Sequence, residues 1–289
     1  LEYCTDDNIT KNDVGGLENV TEWLENKKKI FENLELARKY GVDIPKGLLL
    51  FGMPGCGKSL IAKVIAKTFE MPLLKLDMGM IMGPYVGQSE ENMRKAIKLA
   101  EAISPSVLWI DELEKALSGT GKSGGSSDVT TRIFGTLLTW MQEKTKPVFV
   151  VATANNVTGI PPEFMRKGRF DEIFFVEFPN ASEIIKILEI HFRKRKQKIN
   201  LDGIKNEISN ILKKPNKEFS GADIEAVVKE LVEEKFLKEL NDKKIEDITQ
   251  THIINKMDAI TPIGESMKKP IDELRAACKE FNAKNATKK

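Results

Sequence analysis

The stretch Gly52-Met53-Pro54-Gly55-Cys56-Gly57-Lys58-Ser59 follows the spacing G-x-x-x-x-G-K-[ST] directly after an apolar run, Leu48 to Phe51. Glycines in such a loop let backbone N–H groups converge on phosphate oxygens, and a helix starting at its end adds partial positive charge. Lys58 supplies a cation for the β- and γ-phosphates, and Ser59 a hydroxyl able to ligate Mg²⁺. The chemistry needs a strand before the loop and a helix after it. Leu48 to Phe51 is short enough for a buried strand, and Ile61, Val64, Ile65 and Phe69 recur at helical spacing.

A second constellation completes the reaction. Val107-Leu108-Trp109-Ile110 is followed by Asp111 and Glu112, which reads as a buried parallel strand with acids at its C-terminal end, where ligands gather in open α/β sheets. Asp111 is expected to hold Mg²⁺ through its water shell, and Glu112 to orient and polarise the water that attacks the γ-phosphate. ATP and Mg²⁺ are therefore the expected cofactors.

The elements that position these residues can be read from the hydrophobic pattern. Strand-like runs recur at Leu48–Phe51, Leu73–Leu76, Val107–Ile110, Val148–Ala152 and Ile173–Phe178, separated by helical patterns around 58–70, 88–103 and 128–143. Strands alternating with helices predict an α/β fold, a doubly wound parallel sheet with helices on both faces. Before it, Asp13-Val14-Gly15-Gly16-Leu17 leads into a helix with Val20, Leu24, Phe31 and Leu34 at helical spacing, ended by Gly41 and Pro45. After Pro179-Asn180 the strand-like runs stop. The reading places a large α/β domain over 1–179 and a smaller all-helical domain over 180–289. Ser220 with Asp223 forms a capping-box signal for a helix carrying Ile224, Val227, Val228, Leu231 and Leu240 on one face. The lysine-rich tail from about Phe281 is expected to lack structure.

Composition narrows the class. A chain of 289 residues, 41% hydrophobic and 30% charged with a net charge of +2, is ordinary for a globular protein and demands no nucleic acid. Arg193, Lys194, Arg195, Lys196 and Lys198 form one basic cluster, read as a solvated helix face. Cys4, Cys56 and Cys278 are too few and too widely spaced for a disulfide framework or a zinc site, which fits a reducing compartment. His191 and His252 show no ligand spacing and read as surface or packing residues. No apolar stretch approaches the length needed to cross a bilayer. A start at Leu1 rather than Met suggests that an N-terminal portion precedes this sequence.

With these motifs in place, the chain resembles the AAA family of ATPases from Asp13 to about Leu240. Asn155 falls where the family carries its sensor-1 residue, and Arg166-Lys167-Gly168-Arg169-Phe170-Asp171 resembles the arginine-finger segment. A neutral Asn155 could hold the attacking water without altering the charge of the site, while Arg166 and Arg169 could present guanidinium groups to a phosphate outside their own site. The resemblance further implies that the small residues of Ser220-Gly221-Ala222-Asp223 pack near the adenine, and that Val14, Gly15, Pro54, Gly55, Cys56, Gly57, Lys58, Ser59, Leu60, Gly221 and Ala222 bind the nucleotide. It implies that the arginines act in trans within a ring, usually a hexamer of identical subunits. Tyr85-Val86-Gly87 sits where the family has an aromatic pore loop that grips an extended polypeptide, and residues 118–127 would form a second central loop. At one position the pattern differs: Gln88 replaces the glutamate usual after the pore glycine.

More narrowly, Trp109, the run Asp111-Glu112-Leu113-Glu114-Lys115 and the segment Pro262-Ile263-Gly264-Glu265-Ser266-Met267 resemble a bacterial group of the family also encoded in algal plastids and cyanobacteria. There is no His-Glu-x-x-His motif, which disfavours the membrane-protease branch. The expected function is an ATP-driven machine that threads or remodels an unknown protein client, in the cytoplasm or in a plastid stroma. The alternatives are a nucleotide-switched assembly factor without threading and, ranked last, a nucleic-acid motor or loader using the basic cluster.

Overall fold

The computed structural model describes residues 1–4, 9–81, 87–115, 126–157, 160, 162–166, 168–241 and 247–288. In chain order the first part contains β1 (Glu2–Cys4), α1 (Glu18–Glu32), α2 (Leu34–Lys39), β2 (Gly47–Gly52), α3 (Lys58–Phe69), β3 (Leu73–Leu76), α4 (Met78–Ile81) and α5 (Gln88–Ala102). It continues with β4 (Ser106–Ile110), α6 (Ser126–Glu143), β5 (Val148–Ala154) and β6 (Glu172–Val176). Every strand-like run of the sequence is a strand, and the runs join in a seven-stranded sheet ordered β1-β3-β4-β5-β2-β6-β7, in which β7 is Lys284–Asn285. The pairings of β3 with β4, β4 with β5, β5 with β2, and β2 with β6 are all parallel.

The runs are continuously apolar because both faces of the sheet are covered. Leu48 and Leu50 point to the same side as Trp109, Phe149 and Val151, where α1 and α3 pack through Val20, Leu24, Ile61 and Ile65. Leu49 and Phe51 point to the other side with Ile110, Val150 and Ala152, against Met93 of α5 and Ile133, Phe134 and Leu137 of α6. The parallel topology brings the C-terminal ends of β2, β4 and β5 to one edge of the sheet, and that edge carries the site.

The helices that follow, α7 (Ala181–Lys194), α8 (Lys205–Leu212), α9 (Gly221–Leu240) and α10 (Gln250–Ala259), have a separate core including Ile184, Leu188, Ile208, Ile224, Val227 and Ile253. Side chains fix their starts. Asn180, Ser220 and Thr249 each accept backbone N–H groups of the first turn in a capping box, and the signal read at Ser220 and Asp223 is the one at α9.

In other places the structure departs from the sequence reading. The opening helix is broken at Asn33 into α1 and α2, and Leu34 is only partly buried. Leu240 does not share the buried face of α9: that face stops at Leu231, and Phe236, Leu237 and Leu240 are exposed. The largest difference concerns the tail. After α11 (Ile263–Ser266), α12 (Lys268–Glu280) packs Ile271, Leu274 and Ala277 into the core of the sheet rather than into the helical cluster. The residues expected to lack structure then form β7 (Lys284–Asn285), parallel to β6, with Ala286 buried beyond it. Local composition favours solvent there, and the backbone pairing with Phe174 and Phe175 overrides it. Among the described residues no helix is long and apolar enough to cross a membrane.

Candidate active site

β2 ends at Gly52 and α3 begins at Lys58, so the glycine-rich loop joins a buried strand to a helix N-terminus as its chemistry requires. Gly57 caps α3 in the left-handed region, φ 83°, a conformation that a Cβ would penalise. Lys58 turns back into the loop and donates to the carbonyl oxygens of Gly52 (2.9 Å) and Met53 (2.6 Å). Burial pushes its ammonium down to about 8, against the opposing pull of the nearby Glu114, Asp111 and Glu112 carboxylates. Burial likewise pushes the Cys56 thiol up to about 12, which makes it a small packing group and not a nucleophile.

The acids lie beside this loop. Asp111 Oδ1 accepts from Ser59 Oγ at 2.9 Å and from Thr153 Oγ1 at 2.6 Å, and its Oδ2 lies 3.5 Å from Lys75 Nζ. A hydroxyl and a carboxylate this close are hard oxygen donors of the kind that suits Mg²⁺ shared with phosphates. Glu112 occupies the left-handed region at φ 50°, a conformation costing about 1–3 kcal/mol for a non-glycine residue. It is held there by Thr153: the backbone N–H of Glu112 donates to Thr153 Oγ1 (3.1 Å), and that of Leu113 to the Thr153 carbonyl (2.9 Å). Asn155, just past β5, donates its side-chain amide to Glu112 Oε1 at 3.4 Å, and its backbone N–H to Glu114 Oε1 at 3.0 Å. Lys115 pairs with the other oxygen of Glu112. Burial holds the Glu114 carboxyl above its ordinary range.

Beside the loop a cleft of about 320 Å³ is lined by Val14, Gly15, Gly55, Cys56, Gly57, Leu60, Gly221 and Ala222 among others. Folding thus unites residues that the resemblance assigned to nucleotide binding from segments more than two hundred positions apart. The Ala222 backbone N–H donates to the Gly55 carbonyl at 3.1 Å, and Pro54 lies between Gly55 and Met53 in the same loop. Sequence reasoning missed several residues of this neighbourhood. Thr153 was legible as the polar residue near the end of an apolar strand, but His191, Glu225 and Thr287 enter the cleft only through the fold. Burial lowers the His191 imidazole below its ordinary value, and its Nδ1 lies 3.7 Å from Glu225 Oε1.

The arginine segment lies elsewhere. Asp171 accepts from the backbone N–H groups of Lys46 (2.7 Å) and Gly47 (3.1 Å), which ties the segment to the beginning of β2, whereas the phosphate loop leaves its end. The strand between spans about 17 Å at roughly 3.3 Å per residue, so Gly168, whose carbonyl accepts from Lys46 Nζ at 2.8 Å, and Asp171 are anchored at the opposite end of β2 from the loop of their own chain. Arg166 is exposed and Arg169 half-buried. Tyr85 and Val86 lie outside the described residues, as does most of 118–127; Gly87, φ 84°, precedes the first turn of α5. In the basic cluster, Arg193 and Lys194 face Asp13 and Arg195 faces Glu225, so three of its five cations lie beside two carboxylates of the chain.

Residues 48–178 match the AAA family, described as the ATPase family associated with various cellular activities. The chain carries the AAA domain and belongs to that family, whose chemistry is nucleotide binding and ATP hydrolysis. It is 42% identical over 267 residues to the uncharacterized AAA domain-containing protein ycf46 of Guillardia theta, covering 92% of this chain and 50% of that protein. It is also 42% identical over 279 residues to ycf46 of Pyropia yezoensis, covering 95% of this chain and 53% of the relative. The ribosome biogenesis ATPase RIX7 of Saccharomyces cerevisiae is 32% identical over 233 residues, 79% of this chain and 27% of that protein. The chain spans about half the length of the ycf46 proteins it matches.

Proposed function

We propose that this chain is the motor segment of a ring in which ATP hydrolysis, completed by a neighbouring subunit, moves a protein client. The observation that supports this reading is the anchoring of the arginine segment, through Gly168 and Asp171, at the start of β2, a strand's length from the glycine-rich loop; a second copy would then be the source of the guanidinium groups. Within one subunit, Lys58 would exchange the carbonyls of Gly52 and Met53 for the β- and γ-phosphates, and the backbone N–H groups of Gly55 to Ser59 would cradle them. Ser59 and Asp111 would hold Mg²⁺, which neutralises charge on the β- and γ-phosphates when bound. Glu112, oriented by the Asn155 amide, would take the proton of the attacking water. The base would sit in the cleft between Val14, Gly15, Gly221 and Ala222.

The Lys58 assignment predicts a pH dependence. The nucleotide binds the ammonium form, whose pKa in the free protein is about 8. Below that value the charge is present and affinity should be flat; above it, nucleotide must recruit a proton. The Kd for ADP should therefore rise between pH 8 and pH 9.5, by up to about tenfold per pH unit for a one-proton linkage. Calorimetric titration across this range is the test, and a pH-independent Kd would argue against Lys58 as the phosphate cation.

Threading of the client rests on Tyr85. Burial of an aromatic side chain against a polypeptide contributes roughly 1.5–3 kcal/mol per contact, and a ring offers several contacts together. Tyr85→Ala is expected to keep ATP turnover near the parental rate while abolishing unfolding of a tagged client. Full remodelling by Tyr85→Ala rings would instead favour the reading in which nucleotide switches the ring between docking states. The matched charges of Arg193, Lys194 and Arg195 favour neither a nucleic-acid motor nor a loader.

A further inference from the structure

The tail that the sequence marks as unstructured runs into the wall of the nucleotide cleft, and it does so through one carboxylate. Glu183 stands in the first turn of α7 and is 4% exposed. Its Oε2 accepts the backbone N–H of Asn180 at 2.9 Å, closing the cap of the helix. Its Oε1 faces two other segments: it accepts Thr287 Oγ1 at 2.8 Å and, more weakly, the backbone N–H of Leu17 at 3.4 Å. Gly16, beside Leu17, is pressed so close to the carboxylate that a Cβ there would lie 2.0 Å from Oε1. Leu17, Glu183 and Thr287 all line the cleft that also holds Val14 and Gly15.

Thr287 is itself held firmly. β7 pairs with Phe174 and Phe175 of β6, the Ala286 N–H donates to the Phe175 carbonyl at 2.9 Å, and Ala286 is 1% exposed. From the other side Asn19 of α1 donates its side-chain amide to the carbonyls of Asn285 (2.9 Å) and Thr287 (3.1 Å), while its backbone N–H donates to the Ala286 carbonyl (3.0 Å). A side chain fixed by two rigid elements can place its hydrogen-bond partner closely. A second tie joins the sheet to the helical region. Arg275 of α12 forms a bidentate pair with Glu177 (3.0 Å to each oxygen) and also meets Glu218, so that α12 joins the end of the sheet to the segment preceding α9.

From this convergence we propose that Thr287 is a positioning residue for nucleotide binding. By donating to Glu183 it fixes the carboxylate that sets the segment Val14 to Leu17 against the base and caps α7, so that Thr287 forms part of one wall of the nucleotide cleft. The proposal rests on the reading that nucleotide occupies this cleft. Removal of the hydroxyl leaves Oε1, among the described residues, with the long contact from Leu17, and the base-side wall is then free to shift. A hydrogen bond to a charged group contributes a factor of about ten or more in an equilibrium, which sets the scale of the effect.

The test compares Thr287→Val, which keeps shape and loses the donor, with Thr287→Ser, which keeps the donor. ADP affinity is measured by calorimetry, KM and kcat for ATP by steady-state turnover, and folding by the thermal midpoint. Thr287→Val is expected to weaken ADP binding and raise KM by about five- to tenfold, a scale set by the lost charge-assisted bond, with kcat changing far less. Thr287→Ser should restore both. If the parent binds ADP and Thr287→Val binds it equally well, the positioning role is overturned, even where the thermal midpoint falls. If the parent itself binds no nucleotide, it is the reading of the cleft that fails. Should Thr287→Val not fold, Asn19→Ala, which loosens the same tail from α1, must weaken ADP binding in the same direction, and unchanged affinity there overturns the proposal.

Discussion

Glu112→Gln is expected to retain ATP binding and to lose hydrolysis by a factor of about 10² to 10⁴, the range contributed by a positioned general base. The substitution removes a proton acceptor while leaving the phosphate contacts of Lys58 and Ser59 in place, because neither residue hydrogen-bonds to Glu112. The amide fits the same backbone: Glu112 N–H still finds Thr153 Oγ1, and the cost of its left-handed conformation is unchanged. Asn155 can still reach the side chain, so water is held but not activated. Lys58→Ala, by contrast, should abolish binding itself. The measurements are turnover and binding of a fluorescent ADP analogue on the same preparation. Turnover within about threefold of the parent would move the base to Glu114, the other carboxylate that Asn155 contacts and one whose pKa burial raises.

The second large effect concerns Arg166 and Arg169. Loss of an arginine supplied from outside the site costs about 10³ to 10⁵ in phosphoryl transfer. The double variant Arg166→Ala,Arg169→Ala should approach that loss while its own affinity for nucleotide stays near the parental value, since Gly168 and Asp171 anchor their segment at the start of β2, away from the glycine-rich loop at its end. Mixing separates action in trans from simple damage. When double-arginine subunits are combined with Glu112→Gln subunits, some interfaces bring an intact Glu112 together with intact arginines, and activity should return above that of either variant alone. Rings shown to be mixed, yet inactive, would place the arginines in their own subunit's chemistry.

The parts of the site that lie within one strand-loop-helix unit were legible because local spacing dictates them. Gly52 to Ser59 and Val107 to Glu112 carry their function in their order, and the sheet needed only to lay β2, β4 and β5 side by side to unite Lys58, Asp111 and Asn155. The strands were equally legible, since burial on both faces leaves an uninterrupted apolar run. Residues whose role depends on distant partners were not. Glu2 to Cys4 forms a strand only because β3 offers an edge, and Lys284 with Asn285 only because β6 does. His191 looked isolated because Glu225 lies 34 positions away in the chain yet 3.7 Å away in space. The strained backbone of Glu112 has no sequence signal at all, because the hydroxyl of Thr153 that sustains it belongs to another strand.

The place of β7 has a consequence for how the molecule comes to be made. β6 is complete at Val176, yet the strand that covers its outer edge begins only at Lys284. On a ribosome adding about 5–20 residues per second, that interval corresponds to roughly 5–20 s during which the hydrogen-bonding groups of a nascent hydrophobic edge, Phe174 and Phe175, have no native partner. An unpaired edge of this kind is a template for association with other chains. Residues translated long after β6 therefore seal an association-prone edge of the growing sheet, and the yield of native protein depends on how long that edge can wait.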